Sequence, residues 1–317
     1  MKTLMVLGGS GFFGKSFLDS FISGDLKKFK VDKIILVSRN LKKLKQKFKR
    51  SSEKIIFLEH DLTNNLKLPF AEMIIHAAES TTKSYSLKEF QQVIKNSEKI
   101  SKNIFKYLKE KQNPISFIYV SSGAVYGKRN FKKKFNENEK ILINNIKKLE
   151  KKKKHYALNK FKSEKKFLRL VQTNHFIKIA RCFTFIGKHI PKNETYAMGN
   201  FLSHVEKNKS INIEATNSKH TFRSYLDSKK LVNSLMLMLV YKKKISFPIF
   251  NIGSKNEISI FNLAKLFENL FKVKVSTPSK MTKDVDYYVP NTNKFSRYFN
   301  KKLSTNLKNQ LKQIFID

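Results

Sequence analysis

The sequence predicts an α/β fold: a doubly wound parallel sheet, with a smaller α/β lobe toward the C-terminus. Three observations carry that prediction. Short apolar runs alternate with longer amphipathic segments up to about residue 180. The runs lack the in/out alternation of a half-solvated strand, as expected for strands covered on both faces. A glycine-rich turn follows the first run directly.

The strands are expected at Leu4–Leu7, Lys33–Val37, Ile55–Leu58, Met73–His76, Phe117–Val120 and Phe176–Ala180. Helical patterns lie between them at about 13–24, 40–49, 87–111 and 152–172. The rhythm breaks after residue 182. Residues 183–222 carry glycines, prolines and polar clusters. A helix near 227–242, a strand at Pro248–Ile252 and a helix at Ile260–Phe271 follow. Residues 1–182 and 223–254 are therefore assigned to the sheet domain. Residues 183–222 and 255–317 are assigned to the smaller lobe.

Composition bounds the function. The 317 residues carry 65 Lys+Arg against 24 Asp+Glu, a formal charge of +41. Such a balance suggests nucleic acid. Only seven of the bases are arginine, the residue that reads phosphates and bases bidentately. Compositional drift is therefore the simpler source of the excess, and a nucleic-acid partner is not expected. Hydrophobic residues at 40% exclude a disordered chain. The single cysteine, Cys182, excludes an intrachain disulfide and a Cys-rich metal site, and no metal is expected. No apolar run reaches the roughly 18 residues a membrane span needs, and no cleavage site follows the N-terminus. A cytoplasmic protein with no membrane partner is expected.

The glycine turn reads Gly8-Gly9-Ser10-Gly11-Phe12-Phe13-Gly14. Gly8 permits the tight turn off the strand, Gly11 lets backbone N–H groups approach a pyrophosphate, and Gly14 lets the helix pack closely. Phe12 and Phe13 open the helix, whose positive end faces the phosphates. The pattern predicts a dinucleotide site. The second strand ends in Ser38-Arg39-Asn40, with no acid to hold a ribose 2′-OH. Arg39 suits the 2′-phosphate of NADP, so NADP is preferred over NAD; a solvated arginine is the alternative. Asp61-Leu62 after the third strand suits an adenine, although Asp61 alone would serve equally as a helix cap. Ala77 and Ala78, after His76, leave room for the cofactor's ribose and phosphate.

Tyr156 and Lys160 stand at i and i+4, on one face of the predicted helix 152–172. An adjacent ammonium lowers a phenol's pKa, and such a tyrosine exchanges a proton with a sugar hydroxyl during hydride transfer. Ser121 and Ser122 end the fifth strand, at the sheet edge where ligands bind.

Together these motifs resemble an extended short-chain dehydrogenase/reductase of the NAD-dependent epimerase/dehydratase family, which acts on nucleotide sugars. The resemblance also covers Arg181-Cys182-Phe183, Gly199-Asn200-Phe201, Arg223-Ser224-Tyr225-Leu226 and Asn251-Ile252-Gly253-Ser254. It implies a Rossmann domain, a Ser122–Tyr156–Lys160 triad and NAD or NADP as cofactor. It also implies that Asn96 supports the lysine and that Ser122, Thr184, Asn200 and Arg223 bind the nucleotide diphosphate sugar. A homodimer through the helices at 87–111 and 152–172 is implied as well. Dehydratases of the family carry an Asp-Glu pair after the active Ser/Thr; Gly123 and Ala124 stand here. C4 epimerisation or keto-sugar reduction is therefore expected. The alternatives are a 4,6-dehydratase lacking its usual acids and a non-catalytic or nucleic-acid-binding relative of the same fold.

Overall fold

The computed structural model describes residues 2–48, 53–79, 87–193 and 196–316. In chain order the elements are β1 (Lys2–Leu7), α1 (Phe12–Ile22), β2 (Val31–Ser38), α2 (Lys42–Lys47), β3 (Ile55–Glu59), β4 (Met73–His76), α3 (Leu87–Lys109) and β5 (Ser116–Ser122). Then come α4 (Ile143–Lys147), α5 (Lys151–Leu168), β6 (Phe176–Cys182), β7 (Thr184–Ile186), α6 (Ala197–Glu206), β8 (Ile211–Asn212), β9 (Thr221–Asp227) and α7 (Ser228–Val240). The chain ends with β10 (Ile249–Ile252), β11 (Glu257–Ser259), α8 (Ile260–Phe271), β12 (Val275–Ser276), β13 (Asp286–Tyr288), α9 (Asn293–Phe299) and α10 (Leu307–Ile316). No helix among the described residues is long and apolar enough to cross a membrane.

Two compact units emerge. The first comprises Met1–Ser122, Lys151–Arg181 and Val232–Phe250; the second comprises Gly123–Glu150, Cys182–Leu231 and Asn251–Asp317.

The first unit is built on a seven-stranded sheet of order β10-β6-β5-β4-β1-β2-β3. β1 pairs in parallel with β2 and β4, β2 with β3, and β4 with β5. This is the Rossmann-like sheet expected from the alternating runs. The apolar runs explain why: Leu4, Met5, Val6 and Leu7 are successive residues, yet all are buried, so β1 is covered on both faces. Ile104 and Leu108 of α3 and Phe167 of α5 pack with Phe117, Tyr119, Ile177 and Ile179 of the sheet. The strand order reverses at β1, since β1 to β3 extend one way and β4 onward the other. That reversal opens a crevice at the carboxyl ends of β1 and β4.

The second unit holds a sheet of order β11-β9-β13, with β7 also paired to β9. α6 and α8 supply its core through Met198, Phe201, Leu202, Leu263 and Phe267. α6 and β7 fall in the stretch 183–222, where the strand–helix rhythm of the sequence breaks. α6 has no side-chain cap at Tyr196 and carries a glycine and an asparagine, so local signals hide it. Burial of its apolar face supplies what propensity does not.

Candidate active site

The glycine turn sits at the strand-order reversal of the first unit. Gly8 and Gly9 both donate to Val37 O at 2.9 Å, and Ala77 N donates to Leu7 O at 2.9 Å. Gly8 has φ of +99°, and a Cβ there would lie 2.7 Å from Ala77 O. Any other residue would be strained and would also push β4 away. Gly11 N donates to Gly8 O at 3.0 Å, and Gly11 is the N-cap of α1. A Cβ on Gly11 would touch only Gly8 O, at 3.4 Å, so the space beside it is open. That open cradle lies at the positive end of α1, which starts at Phe12-Phe13-Gly14. A dinucleotide pyrophosphate fits these features.

The neighbouring strand ends complete the rim. Ser38 Oγ and Ser10 Oγ share a hydrogen bond of 2.8 Å, while Arg39 is exposed. Asp61 accepts from Thr63 N and Thr63 Oγ1, both at 2.9 Å. The Thr63 N–H bond holds its carboxyl below the usual range against burial, helped by the Thr63 hydroxyl and by Arg39. Asp61 thus closes a local turn as well as facing Arg39, and Leu62 is buried beside it. His76 is fully buried against Tyr119 and Phe167. Burial, with Lys160 nearby, pushes its pKa well below the usual value, so it stays neutral and serves packing. Ala78 N donates to its Nδ1 at 3.3 Å.

Tyr156 and Lys160 share one face of α5, with the Lys160 ammonium 5.7 Å from the Tyr156 ring centre. Lys160 is 3% exposed and donates to Val120 O at 2.7 Å, which ties it to the carboxyl end of β5. Glu79 pairs with the same ammonium at 2.7 Å and accepts from Tyr119 Oη at 2.6 Å. Glu79 was not foreseen. Its signal was an acid three residues beyond β4 in a chain with few acids. The pair trims the positive field that Lys160 casts on Tyr156. If Tyr156 is the proton-transfer group proposed below, Glu79→Gln should move the acid limb of the pH profile to lower pH. A kcat/KM–pH profile checks this; an unmoved acid limb would contradict it.

The two serines that end β5 have different partners. Ser121 Oγ donates to Glu164, which is 1% exposed and takes Arg181 bidentately at 2.7 to 3.2 Å. Ser121 is therefore committed to a buried ion pair. Ser122 ends the strand, buried to 8% exposure. Glu164 continues the Tyr156, Lys160 series by one more turn, which is how the sequence advertises it. Asn96 lies on α3, and its Oδ1 accepts from Gln92 at 2.9 Å.

The second unit holds the residues expected to bind substrate. Thr184 Oγ1 donates to Ser224 O across the β7–β9 pairing. Arg223 is half-buried, donating to Asp286 Oδ2 at 2.8 Å and Phe222 O at 2.8 Å. Its guanidinium thus already has a carboxylate partner. Asn200 sits half-buried in α6, its N–H bonded to Tyr196 O at 2.9 Å. Lys230 is the third residue of α7. Asp227, just before the helix, caps it, its Oδ1 accepting from Lys230 N at 3.0 Å.

Residues 4–253 match the model of the NAD dependent epimerase/dehydratase family. The chain belongs to that family. An uncharacterized protein of Methanocaldococcus jannaschii is 24% identical over 286 residues, covering 86% of this chain and 82% of that protein. Among solved structures, a UDP-N-acetylglucosamine 4-epimerase of Methanobrevibacter ruminantium superposes with TM-score 0.79 at 18% identity, covering 99% and 98% of the two chains. A UDP-glucuronic acid 4-epimerase of Bacillus cereus, bound to its substrate and NAD, gives 0.78 at 18% identity, covering 98% and 96%. A dTDP-glucose 4,6-dehydratase of Bacillus anthracis with NAD also gives 0.78, at 15% identity, covering 99% and 95%.

Within this family chain, Gly123 has a steric reason. A Cβ there would lie 2.7 Å from the Phe183 ring. Phe183 belongs to an aromatic cluster in which it meets Tyr288 at 4.7 Å and Tyr126 stacks on Phe135 at 4.8 Å. An acid at position 123 has no room unless that cluster moves.

Proposed function

We propose that the chain is a nucleotide-sugar epimerase or keto-sugar reductase that uses Ser122, Tyr156 and Lys160 at one sugar carbon. The Tyr156–Lys160 pair, held on one face of α5 with the ammonium anchored to β5, is the observation that carries this reading. Gly8, Gly11, Phe12, Phe13 and Gly14 would hold the pyrophosphate, Ser38, Arg39, Asp61 and Leu62 the adenosine half, and Ala77 and Ala78 the inner ribose. When bound, such a dinucleotide supplies a hydride acceptor and donor. Tyr156 Oη takes the proton of the sugar hydroxyl and returns it. Lys160 favours the phenolate through its charge, and Ser122 Oγ hydrogen-bonds the same sugar oxygen. Arg39 argues for NADP, whereas the NAD complexes of similar structures argue for NAD.

The absence of an acid at Gly123 and Ala124, with Phe183 filling the space, supports epimerisation or reduction over loss of water. Substrates deuterated at C4 test this. An epimerase retains the label and releases no water; appearance of a dehydrated keto-sugar would overturn the reading.

Asn200 and Arg223 are proposed to hold the diphosphate, and Thr184 to belong to the same substrate site. A diphosphate offers Arg223 two oxygens in place of the Asp286 carboxylate. Arg223→Ala should raise KM for the nucleotide sugar by about 10- to 100-fold and leave kcat within about threefold. Steady-state kinetics decide, and an unchanged KM would remove Arg223 from the site.

A further inference from the structure

We propose that Glu79 is the residue that positions Lys160, in place of Asn96, and that its charge lets the site hold an oxidised dinucleotide beside that lysine. The inference rests on the reading of Tyr156, Lys160 and the dinucleotide cradle given under the proposed function. The Glu79 carboxylate lies 2.7 Å from the Lys160 ammonium, and both side chains are 4% exposed. An ammonium so buried needs a counter-charge, because it has lost its water. Lys178 shows the alternative in the same sheet. Its Nζ has no hydrogen-bond partner, and burial with Lys244 nearby pushes its pKa down to about 7. Glu79 supplies Lys160 with the partner that Lys178 lacks.

The carboxylate is itself held in place. Tyr119 Oη donates to its other oxygen at 2.6 Å. Burial, then the Glu79 charge, pushes the Tyr119 phenol well above its usual pKa, so it remains a donor. Glu79 N donates to Ala77 O at 3.0 Å, which fixes the chain just past β4. Among the described residues, Glu79 and Val120 O hold the Lys160 ammonium. Asn96 Oδ1 accepts instead from Gln92 of its own helix. An ammonium has three N–H donors, so these two partners leave one for the reacting groups.

Ala77 and Ala78, proposed to take the inner ribose, immediately precede Glu79, so the carboxylate sits at the same strand end. Oxidised nicotinamide carries a positive charge and the reduced ring carries none. A lone ammonium would therefore repel the oxidised form only. Paired with Glu79 it presents no net charge, and the field discriminates little between the two forms. An epimerase passes through both forms in each turnover. A site that strongly preferred one of them would raise the barrier to removing the hydride or to returning it.

The test is the ratio of dissociation constants for the oxidised and reduced dinucleotide, measured by titrating the full chain at pH 7 with NAD⁺ and NADH and with NADP⁺ and NADPH. Glu79→Gln should shift that ratio about tenfold toward the reduced form. Lys160→Met, which leaves the opposite charge, should shift it toward the oxidised form, and Glu79→Gln/Lys160→Met should return it to within about threefold of wild type. Asn96→Ala should leave it within about twofold. An unchanged ratio in both single variants overturns the proposal and leaves the proposed function standing. A shift in Asn96→Ala as large as that in Glu79→Gln overturns it too, by giving the positioning role to α3. Failure of the wild-type chain to bind any of the four dinucleotides overturns the proposed function itself, and this inference with it.

Discussion

Tyr156→Phe is expected to fold like the parent chain and to turn over nucleotide sugar roughly 10²- to 10⁴-fold more slowly, the usual contribution of a positioned proton-transfer group. The ring is retained, so α5 keeps its packing through Ala157 and its Lys160 anchor to Val120 O. Only the proton carrier is lost. Equal unfolding temperatures with a collapsed kcat are the expected pair of measurements. Unchanged turnover would remove Tyr156 from the chemistry and leave the triad without its acid/base.

Lys178→Met is expected to stabilise the chain near neutral pH. Lys178 lies in β6 between Ile177 and Ile179, which face the main core, so its side chain points to the opposite face of the sheet. It is 1% exposed, its Nζ lacks a hydrogen-bond partner, and burial with Lys244 nearby pushes its pKa down to about 7. The unfolded chain keeps that proton up to its ordinary value near 10.5. Below pH 7 both states are protonated and the full cost of the buried charge is present. Between pH 7 and 10.5 the unfolded state binds more protons, so stability rises with pH. Above 10.5 both states are neutral and the cost is gone. A depression of this size corresponds to at most about 4–5 kcal/mol. Methionine matches the length of the stem without the amine. Denaturant unfolding at pH 7 and pH 9.5 should show a higher midpoint for the variant at pH 7, with the difference shrinking at pH 9.5. A destabilised variant, or a difference independent of pH, would show that the amine is not buried as a lone base.

Much of this could be read from residues alone. Continuous apolar runs such as Met73–His76 located the parallel strands, because a strand buried on both faces has no polar side to interrupt it. The glycine turn was legible because Gly8 answers a backbone requirement that few residues meet. What escaped notice depends on contacts distant in sequence. Glu79 meets Lys160 across 81 positions, a pairing no local pattern encodes. α6 is held by burial against α8 and not by its own caps.

The proposed function is hydride chemistry on a nucleotide sugar without removal of water. A mass-spectrometric screen of UDP-, dTDP-, GDP- and CDP-sugars with NAD⁺ or NADPH tests it most directly. The expected result is a product that is either an isomer of unchanged mass or a keto-sugar reduced by one hydride and one proton, and that disappears with Tyr156→Phe. A product lighter by one water, or no product from any nucleotide sugar with either cofactor, would contradict it.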